Sequence, residues 1–172
     1  MLKRVSITGP ESTGKSKLAQ WLAKEYHTLQ VPEYAREYLK SSGPEYVLED
    51  VIKIARGQLE RENATAIKAH RVLFCDTDFL VTKIWCEVVF GSCPPWIENQ
   101  FHSHRYDLYL LCYPDIPWEP DPLRENPDDR DKLFILYQKT LIENRLPFRI
   151  VKGLGNERFE NARTFVEKML QA

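Results

Sequence analysis

Nothing in this chain of 172 residues approaches the run of about 20 apolar residues that spans a bilayer. The opening stretch from Met1 to Thr8 is too short in apolar residues to form the core of a secretory signal. Cysteine is scarce. Cys75, Cys86, Cys93 and Cys112 form no C-x-x-C pair and no zinc-type spacing with the four histidines, which argues against a disulfide framework and a Cys/His metal site. Net charge is nearly absent: 24 lysines and arginines against 25 acids leave −1, so the long-range attraction of a general nucleic-acid binder is missing. These absences predict a cytoplasmic protein with reduced thiols, whose partner is a small molecule rather than a membrane or a nucleic acid. With 43% hydrophobic and 28% charged residues, the composition is that of one globular domain able to bury a real core.

Short apolar runs at 4–8, 72–76, 107–113 and 148–151, with a weaker one at 28–32, predict strands buried on both faces. Helical spacing of apolar residues fills 16–25, 51–69, 131–146 and 157–170 between and after them. Strand–helix alternation along the whole chain predicts an α/β fold with a mainly parallel sheet. No internal repeat or linker divides it. The segment 114–131 breaks the pattern, because it holds five of the eleven prolines together with many charges. Proline cannot donate to a ladder or a helix, so this segment is expected to be a lid loop.

The clearest chemistry lies in Gly9-Pro10-Glu11-Ser12-Thr13-Gly14-Lys15-Ser16, a full match to G-x-x-x-x-G-K-[ST] between a strand and a helix. Glycines let backbone N–H groups turn toward phosphate oxygens; Lys15 would reach the β- and γ-phosphates, and the Ser16 hydroxyl would ligate Mg²⁺. Gly9, Glu11, Ser12, Thr13, Gly14, Lys15 and Ser16, with Ser6 on the strand before them, are the candidate ATP-binding residues. An N-K-x-D segment to read guanine is missing, as is an Asp-Glu pair ending a long apolar strand. A GTPase and a water-activating ATPase are therefore disfavoured. Asp76 and Asp78 follow the strand at 72–76; Asp76 is the candidate second metal ligand, whereas Asp78 suits either a site role or a helix cap.

Pro32-Glu33-Tyr34-Ala35-Arg36-Glu37-Tyr38 follows the weak second strand, where an open α/β sheet binds ligands. A helix starting there would carry Glu33, Arg36 and Glu37 on one face. Gly57 within the next helix costs roughly 1 kcal/mol relative to alanine. Close approach of another group would explain it, and so would helix packing.

Together these segments resemble the ribosylnicotinamide kinase domain of NadR-type NAD-biosynthesis proteins. The resemblance runs the length of the chain and rests on I-T-G-P-E-S-T-G-K-S (from Ile7), V-P-E-Y-A-R-E-Y-L (from Val31), Gly57-Gln58, Asp76-Thr77-Asp78, P-D-I-P-W-x-x-D-x-L-R (from Pro114) and N-P-D-D-R (from Asn126). It implies a three-layer P-loop fold of the nucleoside and nucleotide monophosphate kinase type, with a five-stranded sheet. It also implies transfer of the ATP γ-phosphate to the 5′-hydroxyl of nicotinamide riboside, with ATP and Mg²⁺ as cofactors. Lys15, Glu33, Asp76 and Arg124 are then the expected catalytic residues, with Arg130 a second lid cation near the nucleotide. Glu33 and Asp76 compete to accept the hydroxyl proton, and the resemblance favours Glu33. Tyr34, Arg36, Asp78, Trp118 and Asp121 are expected to contact the acceptor. A cationic pyridinium ring favours aromatic faces, for which Tyr34, Tyr38, Trp85, Trp96 and Trp118 are available. No nucleotidyltransferase signature accompanies the kinase motifs; His102-Ser103-His104 is not H-x-G-H. A stand-alone kinase, or a member with a drifted substrate, is expected. The alternatives are a kinase for another nucleoside or a nucleoside monophosphate, and a regulatory ATP-binding module.

Overall fold

Side chains on alternate faces of five short strands feed two separate cores in the computed structural model, which describes residues 1–43, 45–125 and 127–172. Asn126 of the lid motif therefore lies outside the described residues. The strands are β1 (Lys3–Thr8), β2 (Gln30–Val31), β3 (Val72–Asp76), β4 (Leu108–Cys112) and β5 (Phe148–Val151). Their order is β2-β3-β1-β4-β5, and every pairing is parallel. Val5, Ile7, Phe74 and Leu110 face α1 (Lys15–Glu25) and α7 (Gly155–Gln171), meeting Leu18, Leu22, Ala162 and Val166. Leu18 and Leu22 are fully buried, each worth about 1.5–3 kcal/mol in transfer terms.

Leu73, Cys75, Tyr109 and Leu111 face the opposite layer. It consists of α3 (Leu48–Ala66), α4 (Phe79–Phe90), α5 (Pro95–Ser103) and α6 (Arg130–Glu143). The remaining helix, α2 (Tyr34–Ser42), packs on α3 through Ala35, Leu39 and Ile54. Three layers with a wholly parallel sheet result, as the alternation predicts. Cys75, Cys86, Cys93 and Cys112 are all free thiols, and no helix among the described residues is long and apolar enough to cross a membrane.

Three departures from the sequence expectations have local causes. β2 is only two residues long, because Pro32 cannot donate to the ladder and α2 begins at Tyr34. Helices α4 and α5 were not assigned from periodicity. Apolar residues lie on nearly every side of α4, from Phe79 and Leu80 through Ile84 to Val88 and Val89, so no amphipathic stripe shows. Among its described residues the proline-rich segment carries neither helix nor strand until α6, which starts at Arg130 and so takes Arg130 into its first turn.

Candidate active site

Register puts the phosphate loop in place. Ile7 pairs with Asp76 on β3 and Thr8 with Leu111 on β4, so the chain leaves β1 between two carboxyl strand ends. Gly9 sits at φ +126°, and a Cβ there would stand 3.0 Å from the Cys112 carbonyl oxygen; a side chain has no room. Thr13 Oγ1 closes the loop by donating to the Pro10 carbonyl at 2.7 Å. Lys15 Nζ folds back over the loop and donates to the Gly9 and Pro10 carbonyls at 3.0 and 2.7 Å. Gly14 caps α1 without a side-chain bond, which leaves the helix's first N–H groups and its positive end for an anion.

Beneath the loop, Ser16 Oγ donates to Asp76 Oδ2 at 2.5 Å. Asp76 is 2% exposed, and its Oδ1 is buried without a protein partner. Burial, and then the nearby Glu33 charge, push its carboxyl up to about 6. A hard cation suits this pair, since it would take the Ser16 hydroxyl and the unmatched carboxylate oxygen together. Mg²⁺ characteristically binds through one or two protein groups, with substrate phosphates and water completing its shell. Ser16 and Asp76 therefore fit the metal expected of them.

Glu33 and Arg36 enter from the first turn of α2. Arg36 Nη1 donates to Asp121 Oδ2 at 2.8 Å, and its Nε lies 4.0 Å from Glu33 Oε2. The Leu123 N–H, and then the Arg36 guanidinium, hold the Asp121 carboxyl below its ordinary range.

The lid is folded down onto the loop. The Glu119 N–H donates to Ser12 Oγ at 2.9 Å, and the Glu125 N–H to Glu11 Oε2 at 3.1 Å. Arg124 Nη1 reaches Ser12 Oγ at 3.3 Å and also the Glu119 carbonyl. Arg130 Nη1 donates to the Ser12 and Ile116 carbonyls, each at 2.9 Å. Beneath this roof lies a cavity of about 680 Å³. One end is walled by the phosphate loop, Ile116, Gly155, Arg158 and Phe159; the other by Glu33, Arg36, Leu39, Tyr46, Trp85 and Tyr137. The second end is aromatic and acidic. Trp85 Nε1 donates to the Tyr46 hydroxyl at 2.9 Å, and that hydroxyl donates to Glu125 Oε2 at 2.9 Å.

A family model described as an AAA domain matches residues 4–158. Over 176 aligned residues the chain is 32% identical to the trifunctional NAD biosynthesis/regulator protein NadR of Escherichia coli (strain K12). It is 33% identical to the protein of that name from Salmonella typhimurium. This chain belongs to the AAA-domain P-loop family. It is covered to 98% in both alignments but spans only 43% of the length of these relatives. A crystal structure of NadR in complex with NR matches at TM-score 0.84 and 24% identity, covering 99% of this chain and 50% of that one. Deoxyadenosine kinase from M. mycoides, with products bound, shares the fold at TM-score 0.67 and 13% identity, covering 96% of this chain and 99% of that one.

In this P-loop domain the cavity walls include Gly9, Glu11, Ser12, Thr13, Gly14, Lys15, Ser16, Glu33, Arg36, Asp121 and Arg124, all expected at the site. Other expected residues are used differently. Ser6 is fully buried behind the loop and donates to Asp78. Asp78 is the N-cap of α4, accepting the Val81 N–H at 2.8 Å, so its carboxylate serves as the cap and not as an acceptor contact. Tyr34 turns toward α3, where the Arg61 guanidinium lies 4.7 Å from its ring centroid. Trp118 supports the lid cations, with Arg124 and Arg130 at 5.9 and 5.6 Å from its ring, and does not wall the cavity. Arg130 itself clamps the loop from outside, and Asp76 lies under the cavity floor. Tyr38 bonds Asp50, and Trp96 packs against Phe79, both away from the cavity.

Arg158, Tyr46 and Glu125 contribute to the site without a sequence expectation. Arg158, 3% exposed, donates to Asp115 at 2.6 Å, the Thr13 carbonyl at 2.8 Å and the Tyr113 carbonyl at 2.9 Å. It ties the phosphate loop to the root of the lid. Its only sequence signal is its place beside Phe159 on the apolar stripe of α7, together with Asp115 in the Pro-Asp-Ile-Pro motif. Tyr46 had no signal, lying in a polar connection before α3.

Proposed function

We propose that this domain transfers the γ-phosphate of MgATP to the 5′-hydroxyl of nicotinamide riboside, forming nicotinamide mononucleotide and ADP. The observation that carries this reading is one cavity lined both by the phosphate loop and by an aromatic, acidic chamber that includes Glu33. Relatives named for NAD biosynthesis, and a NadR structure that holds NR, support the choice of acceptor.

Loop N–H groups and Lys15 would hold the β- and γ-phosphates, and Ser16 and Asp76 would hold Mg²⁺, which would supply neutralisation of phosphate charge. Glu33 takes the proton of the 5′-hydroxyl as its oxygen bonds to the γ-phosphorus; the bond from that phosphorus to the β–γ bridging oxygen breaks, and its electron pair leaves with ADP. Glu33 suits this role better than Asp76, because Glu33 walls the cavity while Asp76 is buried under it and bonded to Ser16. Arg124, already at Ser12, is within the lid's reach of the transferred group. Trp85 and Tyr46 offer faces, and Glu33, Asp121 and Glu125 offer charge, to a pyridinium cation. Arg36 is countered by Asp121 and Glu33, which disfavours a monophosphate acceptor.

The test is ADP release from MgATP by purified protein against a panel of nicotinamide riboside, cytidine, thymidine, deoxyadenosine and their monophosphates. Nicotinamide riboside should give the highest kcat/KM. A better ordinary nucleoside would move the acceptor to that class. Tight ATP binding with no acceptor phosphorylated would favour the regulatory module.

A further inference from the structure

Glu33 is the N-cap residue of α2, yet its side chain makes no capping bond. Helix N-termini leave their first N–H groups unmatched, and an N-cap side chain reaches those of the second and third helical residues rather than the first. Here the neighbouring helix supplies the acceptor. Gln58 Oε1 on α3 accepts the Tyr34 N–H at 2.7 Å, while Gln58 Nε2 donates to the Asp76 carbonyl at 3.3 Å. One buried amide, 7% exposed, thus fastens the start of α2 to the end of β3. The preceding residue makes this approach possible. A Cβ at Gly57 would overlap the Tyr34 ring, so a helix-weakening glycine is kept where α2 must come close.

We infer that Gln58, seated by Gly57, is a positioning residue that takes the first N–H of α2, which no N-cap side chain reaches, and so holds the Glu33 carboxylate at the cavity. This rests on the reading of Glu33 as the proton acceptor. The Gly57-Gln58 pair then has a purpose that helix packing alone does not give it, since packing needs neither the amide oxygen nor its N–H.

The experiment compares Gln58→Met, Glu33→Gln and the double variant, with nicotinamide riboside and MgATP as substrates. Gln58→Met keeps the side-chain length and loses both bonds. Its kcat should fall roughly 10- to 100-fold, the scale of a small misplacement of a reacting group, while KM for MgATP stays within about 3-fold. In the Glu33→Gln background, Gln58→Met should cost less than about 2-fold, because the group it positions is already gone. Hydrogen exchange at the Tyr34 amide should quicken at least about 10-fold in Gln58→Met. Gly57→Ala, which displaces Tyr34 without touching Gln58, should reproduce both changes and serves if Gln58→Met folds poorly. Near-normal kcat in both single variants at Gly57 and Gln58, or an equal loss with and without Glu33, overturns the proposal. So does an unchanged Tyr34 exchange rate. Should the wild type phosphorylate no nucleoside, the kinase reading falls, and the amide measurement decides by itself whether Gln58 is the cap.

Discussion

The two ends of the cavity are built in opposite ways. At the phosphate end the machinery is contiguous: residues 9–16 supply the loop, and their bonds, from Thr13 to Pro10 and from Lys15 to Gly9, close within a few residues. At the aromatic end the partners come from distant parts of the chain. Arg36 meets Asp121 across 85 residues, and Tyr46 meets Glu125 across 79. The loop closes through its own backbone, although Arg130 and Arg158 brace it from elsewhere in the chain. A distributed chamber exists only when α2, α4 and the lid are all docked. Changes at the first end should therefore abolish chemistry and spare the fold, while changes at the second should grade the choice of acceptor.

The sharpest test of that contrast is Lys15→Ala. Turnover should fall about 10⁴-fold, on the order of 5 kcal/mol, with a melting temperature within a few degrees of wild type. A near-normal kcat, or collapse of the fold, would break the comparison at its stronger end. Arg124→Ala probes the lid between the two ends: kcat should drop about 10²- to 10³-fold, while ATP affinity without acceptor changes less than about 3-fold. Equal losses in both would make Arg124 a ground-state contact of the phosphate end.

Asp76 lies where the ends meet, and its effect is on stability. Burial first, and the Glu33 charge second, raise its carboxyl from 3.8 to about 6 in the folded protein. The folded state therefore favours the protonated acid. That stabilisation is fully present below the unfolded value near pH 4 and is lost as pH rises through 6. Metal-free Asp76→Asn should accordingly be more stable than wild type by about 2–3 kcal/mol at pH 8, with the gap closing toward pH 4, while kinase turnover disappears. Chemical denaturation at several pH values in chelator measures this; a gap that does not vary with pH refutes it. Glu33→Gln should narrow the gap. The smallest effect is expected from Trp85→Leu, which keeps apolar area but removes a ring face. Preference for nicotinamide riboside over its uncharged dihydro analogue should shrink about 5- to 10-fold, roughly 1 kcal/mol, as read from kcat/KM for the two ribosides. An unchanged ratio would remove Trp85 from acceptor recognition.

Much of the architecture was legible in the chain, for reasons that are local. Buried parallel strands need near-continuous apolar runs, and β3 and β4 have them; β1 is buried only from Val5, and β5 lies at the sheet edge with Arg149 exposed. The loop from Gly9 to Ser16 must be contiguous to wrap a phosphate, so its motif survives as a string. Arg124 and Asp121 were visible because the lid that carries them is marked by its prolines. Asp78, Tyr34 and Trp118 could not be placed the same way. An aspartate after a strand serves a cap or a site equally well, and only the Val81 N–H and the Ser6 hydroxyl, brought to it by folding, assign it to the cap. A tyrosine beside Glu33 turns toward the cavity or toward α3 according to whether a glycine waits opposite it, and Gly57 lies on a different helix. Trp118 takes its place from Arg124 and Arg130, which meet only when the lid folds. The amino-acid sequence by itself determined the strands, the phosphate loop and the chemical family of the site, because each is encoded over a few adjacent residues. Which carboxylates and aromatic rings line the cavity, and that Arg158 anchors the loop, were decided only by tertiary structure, because each depends on contacts between residues that the sequence keeps far apart.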